Sequence, residues 1–470
     1  MEDLLYKPAT EQVAMLRSGQ MSARELLDAH LDRIGEVNGS INAIVTLVPE
    51  IAAARAAASD ERHTRGEIAG VLDGLPIAHK DLTDTAGILT TSGSPIHAGR
   101  IPDENSLIVE RLQAAGAVTV GKTNTPEFGA GSQTFNRVFG ATRNPYDLGK
   151  TVGGSSGGAA AALASGMVPI ADGSDLGGSL RNPASFCNIV GFRVTPGRVP
   201  SWPKAAAWSH LSVEGPMART VGDVALMLEA MAGPDPRSPI SLQDAPTLFA
   251  ELLDGDLGAV KVGWSPTLGG LPFEPEVTAA LAGVPDVFAG LGWHVEEATP
   301  DLSDAVEIFQ VLRAWQYEVG FGGLYDRHHD QLKDTIRWNI EQARGYSLAD
   351  HAHAATKHAA LFHRVGEFFD VYDVLVCPTV QVAPFDVTVE WVPEIDGVTM
   401  ATYIDWMRSC CDVTVMGCPA MSVPAAFTPD GLPVGLQLVG KPRDDLGLLR
   451  VARAFESATE VWKRHPDAAD

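Results

Sequence analysis

Six short strand-like runs, set among glycine, proline and charged residues, constrain this chain most: Leu75–His79, Ala117–Val120, Met167–Ala171, Lys261–Trp264, His294–Glu297 and Val371–Val376. They have strand length and are rich in β-branched residues. Stretches of helical period separate them. Ser22-Ala-Arg-Glu25 is a capping box opening a helix whose apolar stripe is Leu26, Leu27, Leu31 and Ile34, and the helical N-terminal stretch runs over about residues 1–65. Asn105–Ala115 carries Leu107, Ile108 and Leu112 at helical spacing and stops at Gly116, and a further helix is expected around Glu276–Ala289. The region of about 300–365 is helical and richer in aromatics and histidine, a variable substrate-facing segment. The alternation is that of an α/β fold. In such sheets sites gather at the carboxyl ends of strands, where Lys80 and Asp81 follow the Leu75–His79 run.

GAVTVGKT, Gly116–Thr123, matches the phosphate-loop pattern. That loop needs a strand, then a glycine-rich turn, then Gly-Lys-Thr entering a helix, whereas here the four variable positions are themselves strand-forming. Their amides would be paired in a sheet and could not curl round a phosphate. Charge argues the same way. With 59 acidic and 35 basic residues the net charge is -24, which repels nucleic acid and anionic membranes, so neither is an expected partner. The start MEDLLYK lacks the basic and apolar regions of a leader and no apolar run reaches 18 residues, so the cytoplasm is the expected location. Five cysteines without a CxxC pair read as buried free thiols, and the length of 470 residues taken alone suggests about three domains.

Two loops concentrate reactive and glycine residues: Gly153-Gly-Ser155-Ser156-Gly-Gly158 and Gly173-Ser-Asp-Leu-Gly-Gly-Ser179-Leu-Arg181. The first leads into the small-residue helix Ala159–Ala164, and the second follows the strand Met167–Ala171. Exposed backbone amides beside a hydroxyl are what an oxyanion hole and a nucleophile require. The glycines lack dinucleotide spacing. A nucleophile elbow, GxSxG, fits with either Ser155 or Ser156 central, but no later acid and histidine complete it. Close packing of glycine against a helix is the plain structural alternative. His351, His353, His358 and His363 invite a metal reading that helical geometry opposes: spacings of five point about 140° apart, and His351 and His358 are separated by roughly 10.5 Å. Ser201-Trp-Pro-Lys204 fits SxxK without its partner motifs and reads as coincidence.

Taken in order and spacing, Gly74-Leu-Pro-Ile-Ala-His-Lys80-Asp81, GGSSGG at 153–158, GSDLGGSLRNPASF at 173–186 and Val190-Gly191-Phe192 resemble the amidase signature family. Gly121–Phe128, Ala141–Tyr146, Gly215–Arg219, Cys377-Pro-Thr379 and Gly431–Gly440 extend the resemblance over most of the chain. It implies one mixed β-sheet of about eleven strands flanked by helices, a single large domain over 1–470, with Gly121-Lys-Thr-Asn as a structural strand end. It also implies a triad of serine, a second serine linked through a cis peptide, and lysine, mapping onto Ser179, Ser155 and Lys80; the 24-residue separation of the serines selects Ser155 over Ser156. The backbone N–H groups of Leu176, Gly177, Gly178 and Ser179 would hold the oxyanion, and Gly129, Ala130 and Ser155 would contact substrate. No metal or organic cofactor is needed. Two departures, His79 before the lysine and Leu176 in the second loop, are expected to reshape the pocket.

The expected activity is therefore hydrolysis of a carboxylic amide C–N bond through a Ser179 acyl-enzyme, with esters and carbamates as side substrates. A neutral, desolvated Lys80 would take the Ser179 proton by way of Ser155. The expected partner is a small-molecule amide, and homodimerisation stays open. One alternative is the amidotransferase A-type subunit that releases ammonia from glutamine within a complex; another is a non-catalytic binding protein on the same fold. Trp202, Trp208, Trp315, Trp338 and Trp406 are candidates either for an apolar pocket or for the core.

Overall fold

Strands buried on both faces are apolar throughout, and parallel neighbours need a covering crossover. The runs around residues 77 and 170 lie side by side, parallel and buried, in one eleven-stranded sheet, apolar where they enter it and polar toward their carboxyl ends, at His79 and Lys80 and at Asp172, Ser174 and Asp175. The computed structural model describes residues 2–244, 249–255 and 257–467. In chain order the strands are β1 Ile44–Leu47, β2 Pro76–Lys80, β3 Val118–Thr123, β4 Ile170–Asp175, β5 Val190–Arg193 and β6 Val213–Ala218. They continue as β7 Lys261–Trp264, β8 His294–Glu297, β9 Val374–Pro378, β10 Ala420–Phe427 and β11 Pro433–Gly440. Across the sheet the order is β1-β3-β2-β4-β6-β5-β10-β11-β9-β7-β8. β2 is parallel to both β3 and β4, while the middle of the sheet from β4 to β9 is antiparallel. The sheet is therefore mixed, and one large apolar core runs from Ala9 to Phe455, beside a small second cluster of Phe128, Tyr317, Leu332, Ile336 and Ile340, instead of the three cores that length alone suggests.

Local sequence accounts for much of this. The Ser22 capping box forms, with Glu25 N–H on the serine side chain, and opens the helix Ala23–Ile41. Helices also cover Glu2–Leu5, Ala9–Arg17 and Pro49–Thr64. Leu107–Ala114 ends at Ala115, and Gly116 follows at a φ of 93°. The helix expected around 276–289 is two pieces, Pro275–Ala280 and Val284–Gly290, because Pro285 opens the second. The strand expected at 371–376 begins three residues later, since the helix Leu348–Phe369 and its turn take up Val371 to Asp373. Gly121-Lys122-Thr123 continues β3 and is fully buried. Lys122 donates to the Thr83 carbonyl and, at 2.8 Å, to Thr85 Oγ1, and a Cβ on Gly121 would meet the Thr46 carbonyl at 2.0 Å. Lysine and glycine here are structural, and this stretch is not a phosphate loop.

Candidate active site

β2 and β4 deliver their last residues to the same edge of the sheet, and the loop after Val152 closes over them. Lys80 ends β2 with its side chain fully enclosed. Its Nζ lies 2.7 Å from Ser155 Oγ, 2.8 Å from Ser156 Oγ and 3.1 Å from Ser174 Oγ. No carboxylate is bonded to it among the described residues. Burial lowers its pKa to about 7, against an opposing pull from the Asp172 and Asp175 charges. A hydroxyl can donate or accept, so three of them accommodate both the ammonium and the free amine. A carboxylate in their place would lock the proton on.

Ser155 and Ser156, which the residues alone did not separate, differ in position. Ser155 lines a cavity of about 320 Å³, whereas Ser156 is enclosed beneath it and its amide donates to the Ser179 carbonyl at 3.1 Å. The Gly154–Ser155 peptide is cis. Ser179, partly exposed, lines the same cavity, and its hydroxyl has no partner among the described residues. Glycine is required around both serines: a Cβ on Gly173 would be 2.7 Å from Ser156 Oγ, and one on Gly158 would be 2.3 Å from the Asn124 nitrogen. The small-residue helix is thus also a packing device, and the two readings of these glycines coexist.

The loop between β4 and Ser179 is held from behind by Asp175. Its carboxylate accepts from the Gly178 amide at 3.0 Å, the Leu180 amide at 3.1 Å and Arg181 at 2.9 and 3.0 Å, with Arg193 at 3.3 Å. Burial alone would raise Asp175, but the two guanidinium groups hold it far below the carboxylate range. One expectation is corrected here. The Gly178 amide is committed to Asp175 and is not free for an oxyanion, whereas those of Leu176, Gly177 and Ser179 make no hydrogen bond among the described residues. Asp175 and Arg181 stood in the motif without an assigned part; an acid six residues before an arginine in an otherwise uncharged loop was the available signal.

Asp175→Asn should cost about 3–5 kcal/mol of stability, because it leaves two buried guanidinium groups uncompensated. Urea denaturation at pH 7 measures it, and a loss under 1 kcal/mol would contradict this account. The sign with pH follows from the depressed folded pKa: Asp175 stabilises above its unfolded value near 4 and that contribution is lost as pH falls further.

The remaining expected contacts divide. Gly129 lines the cavity, and a Cβ there would be 3.5 Å from Ser155 Oγ. Ala130 does not: it is fully buried, its amide donates to the Glu127 carbonyl and its own carbonyl accepts from Lys333, so nothing of it faces the cavity. Leu176 lines the cavity as expected, but His79 points to the other face of β2, with Nδ1 2.6 Å from Asp172 Oδ1 and Nε2 3.1 Å from Thr119 Oγ1. It leaves the pocket unshaped. None of the five tryptophans lines the cavity; Trp406 is core and Trp208 is 77% exposed. The aromatic walls are Phe128, Tyr317 and Phe321 instead. Ser201 and Lys204 form no hydrogen-bonded pair among the described residues: Lys204 lines the cavity but donates to the Ser209 and Ser212 carbonyls. Among the described residues no three histidine, cysteine or acidic side chains group to hold a metal, and no helix is long and apolar enough to cross a membrane.

Known proteins match this arrangement over its whole extent. The family model described as Amidase matches residues 25–449. An acylamidase of Rhodococcus erythropolis is 37% identical over 98% of this chain and 97% of its own. The A-type subunit of glutamyl-tRNA(Gln) amidotransferase from Chloroflexus aggregans is 36% identical over 100% of both. Among solved structures, a bacterial aryl acylamidase of the amidase signature family superposes with a TM-score of 0.90 at 29% identity, over 97% of this chain and 98% of that one. A family match over residues 25–449, an eleven-strand mixed sheet and a buried lysine beneath a serine pair agree: the chain belongs to the amidase signature family, whose members act on amide C–N bonds.

Proposed function

We propose that the protein is a free-standing amidase in which Ser179 attacks the amide carbonyl, Ser155 relays the proton, and neutral Lys80 receives it. The observation that carries this reading is the Lys80 ammonium site: enclosed, bound only to hydroxyls, with a pKa lowered to about 7, and 2.7 Å from a serine that itself reaches the cavity. A serine hydroxyl is too weak an acid to attack unaided, and a desolvated amine is the base at hand. The free amides of Leu176, Gly177 and Ser179 are the groups for the tetrahedral oxyanion. Returning the proton through Ser155 to the leaving nitrogen breaks the C–N bond, and water then opens the Ser179 ester by the same path in reverse.

The similarity to an amidotransferase component supports a second reading, ammonia release from glutamine within a complex. The purified chain separates the two: hydrolysis of simple anilides by this chain alone supports the free-standing enzyme, and activity on glutamine that requires a partner chain supports the other. Active-site labelling tests the nucleophile. A sulfonyl fluoride small enough for the cavity should modify Ser179 stoichiometrically, and peptide mass mapping that places the adduct on Ser155 or Ser156 would contradict the assignment.

A further inference from the structure

The cavity reverses the sign of the molecule around it. The chain carries a net charge of -24, yet no carboxylate lines this cavity among the described residues, while two cations, Arg313 and Lys204, do. Lys204 donates to two backbone carbonyls and has the half-buried Glu214 near it, whose pKa is raised to about 7 by burial. Arg313 has no carboxylate partner among the described residues. It is only 4% exposed, and its described partners are all neutral: Nε donates to Asn339 Oδ1 at 3.0 Å and Nη2 to the Tyr317 and Tyr403 hydroxyls. Nη1 makes no hydrogen bond among the described residues and is not sealed off from solvent, and Arg313 lines the cavity.

A guanidinium stays protonated, and enclosing one without a carboxylate is costly unless a charge arrives to meet it. Three aromatic rings hold Arg313 in place: Cζ is 4.7 Å from the Tyr317 centroid, 5.2 Å from Tyr403 and 5.9 Å from Phe309. Phe309, one turn earlier on the helix Ala305–His328, abuts Gly177, where a Cβ would be 2.7 Å from its Cζ. A single ring therefore separates the guanidinium from the loop that carries Ser179.

We propose that Arg313 is a specificity-determining residue that receives a carboxylate of the substrate, so that the preferred amides bear an anionic group a few bonds from the scissile bond. This rests on the amidase reading for the position of the scissile bond. Two substrate pairs locate the carboxylate: adipic acid monoanilide against hexananilide for the acyl side, and N-hexanoyl-4-aminobenzoate against hexananilide for the amine side. In one arm the carboxylate should raise kcat/KM by about tenfold or more, mainly through KM, as one charge-assisted hydrogen bond provides. Arg313→Gln should abolish the preference, and Arg313→Lys should retain part of it. Neutral substrates favoured in both arms, or a preference that survives in Arg313→Gln, would overturn the proposal. A binding measurement needs neither variant nor turnover: by calorimetry the wild-type chain should bind 4-phenylbutyrate at least about tenfold more tightly than 4-phenylbutanol, and equal binding would also overturn it. Selective carboxylate binding without hydrolysis of any anilide would support Arg313 while counting against the amidase reading.

Discussion

Ser179→Ala is expected to lower kcat/KM for a simple anilide by roughly 10⁴–10⁶-fold, the range over which a residue acting as one unit with its proton acceptor is lost. The fold should stay within about 1 kcal/mol of wild type, because Ser179 is partly exposed and its hydroxyl makes no internal hydrogen bond that the change would break. Parallel kinetics and urea melts test both halves. Retention of more than about a hundredth of the activity by a well-folded variant would remove Ser179 from the chemistry. Ser155 is then the hydroxyl to examine, since it shares the cavity and bonds to Lys80 directly.

Lys80 gives the second large effect, and it is written in pH. If the free amine is the base, kcat/KM should rise with pH through an ionisation near 7 and level off about one unit above it. Lys80→Arg should lose roughly 10³-fold or more on anilides, because guanidinium cannot take a proton. Lys80→Met should lose anilides more severely than activated esters, whose leaving groups depart without protonation. Stability must shift in the matching direction. A lysine whose folded pKa lies below its unfolded value of about 10.4 costs stability fully below the folded pKa, and that cost fades as pH rises between the two. Wild type should therefore gain stability relative to Lys80→Met from pH 7 to 10. An arginine variant retaining most of its activity, or stability differences flat in pH, would take lysine out of the mechanism.

Much of this arrangement was legible because it is local. Strand period, glycine punctuation and the residues proposed to react, at 80, 155 and 179, lie in continuous motifs, and the resemblance they carry extended to the sheet. Two errors came from ignoring directions that the strand already implied. Adjacent strand residues face opposite sides, so His79 had to point away from the cavity once Lys80 pointed into it. An acid three residues before Gly178 was placed to capture its amide. The rest was illegible for a different reason: Phe128, Tyr317, Phe321 and Arg313 meet at one cavity across nearly 200 residues, and no periodicity within a helix says which distant loop it will cover. The tryptophans stayed undecided for the same cause, since size and apolarity do not distinguish core from wall.

The cavity has a floor and a roof from separate stretches of chain. Lys80, Ser155 and Ser179 are set by β2, β4 and their loops, whereas Arg313, Tyr317 and Phe321 come from one long helix, with Met407 beside them. The roof helix packs chiefly on its own helical neighbours, Asp334–Gly345 and Leu348–Phe369, and lends no strand to the sheet. On the proposed mechanism, the reacting side chains and one wall of the substrate cavity thus come from separate stretches of chain, which meet where Phe309 abuts Gly177. On that mechanism, drift in the helical cassette would redirect the enzyme toward other amides as long as Phe309 keeps its contact with Gly177, and a transplant of that cassette between relatives is the natural unit for altering what Ser179 attacks.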